Sequence, residues 1–89
     1  MNNLSNLLLL AARQLRRDSL SDNPRSCKSF TEGMSDWLFA LYGQLENKLA
    51  TDIEVLTSIR RRAADWAWAE QNEVDFPTLK NLREFVFNH

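Results

Sequence analysis

Leu4, Leu7, Leu8, Ala11 and Leu15 recur at steps of three and four from the start of the chain. Such steps keep side chains on one side of a helix with about 3.6 residues per turn. The spacing predicts a first helix that starts after Asn3, a good N-cap, and runs to about Asp18. Arg13, Arg16 and Arg17 project opposite the stripe, with Leu9 and Leu10 on its flanks.

The pattern breaks over residues 19–29, "SLSDNPRSCKS". Serines, Asp22-Asn23 and Pro24 favour turns through side chain–backbone bonding and a fixed φ, so this segment reads as a flexible polar loop. A second helix is expected from a capping box at Ser29 and Glu32. Gly33 lies close to that start and makes Ser35 with Asp36 an alternative one. The stripe runs Met34, Leu38, Leu41, Leu45, with Trp37, Tyr42 and Leu49 beside it. Phe39 falls well off the stripe.

"TDIE", Thr51 to Glu54, is a second capping box, with Asp52 and Glu54 where the helix dipole favours carboxylates. The expected third helix continues to near Asn72, with Leu56, Ile59, Ala63 and Trp66 as its stripe and Ile53 and Ala67 at the edges. A short fourth helix closes the chain. Asp75 is its expected cap, Pro77 is tolerated in its first turn, and Leu79, Leu82 and Val86 form its stripe. A terminal strand at "EFVFN" is the competing reading, and no second strand offers to pair with it. The predicted architecture is an all-α bundle of three main helices plus a short fourth, in one domain over residues 1–89.

Composition agrees. The chain of 89 residues has two glycines and two prolines, too few for many short strands joined by tight turns. The apolar run at Leu7–Ala12 is too short to span a bilayer, and its arginines follow the run where a signal peptide would want charge ahead of it. Membrane contact is therefore not expected. Cys27 is the single cysteine, which excludes an intramolecular disulfide and suits a reducing cytoplasm.

Charge adds one feature. The net charge is -1, yet residues 1–30 carry five basic and two acidic side chains, while residues 31–59 carry one basic and five acidic. The overall balance gives no general reason to expect nucleic acid binding.

Candidate chemistry is sparse. The one histidine, His89, is the last residue, Cys27 has no evident partner, and no glycine-rich phosphate loop or metal-ligand spacing occurs. No enzymatic activity and no cofactor are expected. The sharpest feature is "RRRAADWAWAEQ", residues 60–71, where Trp66 and Trp68 stand two apart. On a continuous helix Trp68 lies roughly 160° from the stripe that holds Trp66, among Arg61, Ala64 and Asp65. Either a neighbouring helix covers that second face, or Trp68 anchors an interface. Tryptophan and arginine are enriched at binding hot spots, so the expected protein-binding set is Trp68, Arg61, Phe39, Ala64 and Asp65.

The functional expectation is a small cytoplasmic binding module that docks on a larger protein and modulates or inhibits it. Small regulators and inhibitors, phage- and plasmid-borne ones included, are frequent in this size class. Self-association into a homodimer would reuse the same patch. The alternative is a nucleic acid binder using Arg13, Arg16, Arg17 and Arg60, Arg61, Arg62. Consecutive arginines fan over about 200° of a helix, so Arg60 to Arg62 cannot form one stripe. A helix-turn-helix over residues 45–63 would also carry Asp52 and Glu54 toward phosphates.

Overall fold

The computed structural model describes residues 3–21, 28–62, 64, 66–67 and 77–88. Four helices are delimited among them: α1, Asn3–Ser19; α2, Lys28–Glu46; α3, Asp52–Arg60; and α4, Pro77–Phe87. The described residues contain no strand, and "EFVFN" is helical through Phe87. The all-α bundle expected from periodicity is therefore the fold.

α1 is buried over a wider arc than its leucines indicate. Leu4, Leu8, Ala11 and Leu15 form the expected stripe, and Leu7 packs beside it. Ser5, Ala12 and Ser19 form a second buried line at seven-residue steps. A helix buried on two adjacent sides has two neighbours, and α1 packs along both α2 and α4. The second line holds only small residues, which lets a neighbouring backbone come close.

α2 supplies that neighbour. Its buried positions are Thr31, Met34, Ser35, Leu38 and Leu41. The buried Ser35 hydroxyl donates to the Ala12 carbonyl at 2.9 Å. Arg16, Ser19 and Leu20 share a surface depression with Lys28 and Glu32, so the end of α1 lies beside the start of α2 and the two helices run antiparallel. The Thr31 and Ser19 hydroxyls donate to Lys28 and Arg16 carbonyls three residues back. Each of these three hydroxyls has a partner and enters the interior without an unsatisfied donor. α2 begins at Lys28, so neither expected start holds. Ser29 is already helical, and Ser35 lies mid-helix on the α1 interface.

α4 places Leu79, Leu82 and Val86 in the core, as its pattern predicts, and begins at Pro77. The missing N–H of proline costs nothing at a first helical position. The Thr78 hydroxyl donates to Gln14 Oε1 and ties α4 to α1.

α3 departs from expectation. It keeps its capping box: Thr51 Oγ1 accepts from the Glu54 N–H at 3.2 Å, and Glu54 Oε1 accepts from the Thr51 N–H at 3.1 Å. It does not run unbroken toward Asn72: a turn at Arg61 and Arg62 interrupts it, and Ala64, Trp66 and Ala67 are helical again. The helix ends at Arg60 and tightens, with the Arg62 N–H donating to the Ile59 carbonyl at 3.1 Å. Tertiary bonds hold this break. The Trp66 indole N–H also donates to Ile59 O, at 3.1 Å. Arg60 Nε and Nη2 both donate to the Val86 carbonyl, at 3.3 and 3.0 Å, at the end of α4. The Arg62 guanidinium lies 4.1 Å from the Trp37 ring centre on α2. Trp66 is buried as expected and meets Phe87 edge to face at 6.4 Å. The inward residues of α3 are Val55 and Ile59, with Leu56 only partly buried.

α3 packs on α2 and α4, and the diagonal pairs α1–α3 and α2–α4 make at most marginal contact.

The α2–α3 corner is a Schellman turn. Lys48 takes a left-handed φ of 57°. Its N–H donates to Leu45 O at 3.2 Å, and the Leu49 N–H donates to Gln44 O at 2.8 Å. The motif normally covers the residue in Leu49's place with an apolar side chain at the place Gln44 occupies. Glutamine offers no such cover, and Leu49 stays exposed.

Four variants test this packing, each measured by chemical denaturation. Ser35→Ala removes the bond to Ala12 and should cost about 1 kcal/mol. Ser35→Leu should cost about 1–3 kcal/mol by forcing α1 and α2 apart, and equal stability of Ser35→Leu and wild type would refute the close approach. Gly33 sits inside α2, where an added Cβ meets nothing within 4 Å, so Gly33→Ala should gain about 0.5–1 kcal/mol. Lys48→Gly should be stabilising by about 0.5–1 kcal/mol, because glycine adopts a left-handed φ without the Cβ penalty. Destabilisation by that change would rule out the left-handed turn.

Candidate protein-docking face

Ile53 and Val55 stand two apart in α3, so only one can face the core. Val55 does, at 1% exposure, and Ile53 is left 75% exposed. Ile53, Thr57 and Arg61 follow at steps of four and share one side of the helix. With Glu54 and Ser58 they line a shallow depression on the outside of α3. A second depression adjoins it, formed by Leu45, Leu49, Ala50, Asp52 and Glu54 among others. Glu54 belongs to both, so the two make one continuous surface. Leu49 stands on it 77% exposed.

The polar groups of this surface are largely engaged within their own helix. The Thr57 hydroxyl donates to Ile53 O at 2.8 Å, and the Ser58 hydroxyl donates to Glu54 O at 3.1 Å. Covering those hydroxyls strands no donor, which lowers the cost of excluding water there. Glu46, Lys48, Asp52 and Glu54 are exposed around the aliphatic side chains.

The residues expected from sequence fall in different places. Arg61 is exposed and lines the α3 depression, and Ala64 is exposed beyond it. Phe39 is partly buried and packs against the core. Trp68 and Asp65 lie outside the described residues, as do Cys27 and His89. α3 is interrupted by a turn at Arg61 and Arg62, and helical geometry resumes at Ala64, Trp66 and Ala67, where the Trp66 N–H donates to the Arg62 carbonyl at 3.4 Å. Leu49 and Ile53 were missed as surface candidates. The two-residue spacing applied to Trp66 and Trp68 also applies to Ile53 and Val55, and would have found Ile53.

The arginines do not form one surface. Arg13, Arg16 and Arg17 are exposed on α1, and Arg16 approaches Asp36 at 4.0 Å with both side chains more than half exposed. Arg60 and Arg62 reach toward α4 and α2, leaving Arg61 as the outward member of the triplet. α1 and α3 make at most marginal contact, so the helices that carry the two groups are not packed together.

Among the described residues no cluster of histidine, cysteine, aspartate or glutamate could hold a metal ion, and no helix is long and apolar enough to cross a membrane. What the α3 face offers is aliphatic surface with a charged margin, which is chemistry for binding. Comparison of the chain with protein-family models, curated proteins and solved structures yields no match.

Proposed function

We propose that this chain is a non-enzymatic helical module that docks on a larger protein through the outer side of α3 and modulates its activity. The observation that carries this reading is the pair Leu49 and Ile53, each about three-quarters exposed on one continuous surface while the core beneath is closed. A lone exposed leucine is ordinary, and two large aliphatics on a shared surface with self-satisfied hydroxyls are better suited to contact. Covering both contributes roughly 2–4 kcal/mol before the costs of association. That pair is the centre of the proposed interface, with Arg61 lining the same depression and Ala64 exposed past the end of α3. Trp68, outside the described residues, is the aromatic anchor that the sequence offers to the same reading. The surrounding charges would steer the encounter more than they add affinity. A cytoplasmic setting belongs to the same proposal and is supported by the single cysteine.

The test is site-specific photocrosslinking in the source cell, with the photoreactive residue at position 53 in one strain and at position 13 in another. Position 53 should trap one protein in good yield and position 13 should not. Leu49→Asp with Ile53→Asp should weaken binding to that protein by tenfold or more while circular dichroism stays helical. If the double variant binds unchanged, the α3 face is not the docking surface. If binding is abolished by nuclease and by Arg13→Gln, Arg16→Gln and Arg17→Gln together, the function is nucleic acid binding.

A further inference from the structure

We infer that α3 is a strap that opens as a unit from a standing body of α1, α2 and α4, with the Lys48 corner as its hinge and Arg60 as its latch. The opening does not depend on the docking proposal.

The seams between the helices are unequal. α1 packs extensively along both α2 and α4, and those two seams alone join three helices. α3 touches α2 and α4 over much shorter stretches. Val55 and Ile59 are its buried residues, with Leu56 partly buried. A helix of nine residues is marginal in water by itself, so α3 is ordered only while docked. Its capping box joins Thr51 to Glu54 and lies within the strap, so it adds nothing to the hold on the body.

The side-chain tethers gather at the other end. Arg60 Nε and Nη2 donate to the Val86 carbonyl at 3.3 and 3.0 Å. Val86 lies in the last turn of α4, where carbonyls lack a donor within the helix and carry the negative end of its dipole. A guanidinium meets both needs, and such charge-assisted bonds are the strong ones. The Trp66 indole N–H donates to the Ile59 carbonyl at 3.1 Å, and the Arg62 guanidinium rests on the Trp37 ring. At the hinge, Lys48 takes a φ of 57°, which is costly for a residue with a Cβ, and Leu49 beside it is exposed. Rotation at Lys48 relieves that cost as the strap opens. Opening dismantles the surface that Ile53, Thr57 and Arg61 share, so a partner docked there holds the strap shut.

The test is amide hydrogen exchange, read residue by residue by NMR on the purified full chain. After allowance for intrinsic rates, the amides of Leu56 to Ile59 should exchange about tenfold or more faster than those of Ala11, Ala12 and Leu15 in α1. Urea should accelerate the α3 amides less steeply, because opening the strap exposes less surface than unfolding the chain. Arg60→Met keeps an unbranched side chain and removes the donors. It should speed the α3 amides by about tenfold or more and leave those of α1 within about twofold. Arg61→Met, at the outward neighbour, should change neither set. Equal rates and equal urea dependence in α1 and α3 overturn the proposal, because α3 then opens only with the whole molecule. An Arg60→Met chain that speeds both helices alike, or that loses its helix content by circular dichroism, overturns it too, since the body is to stand without the latch. So does an Arg61→Met chain that opens α3 as far as Arg60→Met does.

Discussion

The bond from the Ser35 hydroxyl to the Ala12 carbonyl marks the constraint on which the bundle depends, the close approach of α1 and α2 over small side chains. Ser5, Ala12 and Ser19 on one helix, with Thr31 and Ser35 on the other, leave no bulk between the backbones. Leu8, Leu15, Met34 and Leu38 from the two helices belong to the one buried core. α1 also packs on α4, where Leu79, Leu82 and Val86 complete the interior. A larger residue at Ser35 or Ala12 would move α2, and everything that packs on α2 would move with it.

α3 is held differently. Only Val55 and Ile59 of its residues are buried, too little apolar surface to hold a nine-residue helix by burial alone. Its ends are fixed by specific bonds. The capping box sets its start, and the Trp66 indole, Arg60 and Arg62 tie its finish to the core, α4 and α2. A helix held at its ends does not need its outer side for stability. Ile53, Thr57 and Arg61 are free of structural duty for that reason, and the surface they form can serve contact with another molecule.

The same economy accounts for the arginines. Three in a row read as a basic feature of the surface, yet they divide between two structural tethers and one outward group. The guanidinium suits both tethers: its fork gives two donors to one carbonyl at Val86, and its flat face lies on the Trp37 ring. Three further arginines, Arg13, Arg16 and Arg17, are exposed on α1.

Periodicity alone determined the class of fold, the extent of α1, the inward line of α4 and the capping of α3, because these depend on neighbours within a turn or two. Leu4, Leu8, Leu15, Leu79, Leu82 and Val86 could be assigned to the core from spacing, since a helix in a small bundle must bury its apolar stripe. Tertiary structure alone decided where α2 begins and where α3 stops. Nothing near Arg61 in the chain breaks a helix; the break is held by partners 7 and 26 residues away along the sequence, Ile59 from Trp66 and Val86 from Arg60. Ser35 looked like a helix start because serine caps helices, and only the carbonyl of Ala12, 23 residues earlier, makes it an interior residue. The exposure of Leu49 and Ile53 has the same origin. An aliphatic side chain is surface or core according to which helix arrives to cover it, and among the described residues none covers Leu49 or Ile53.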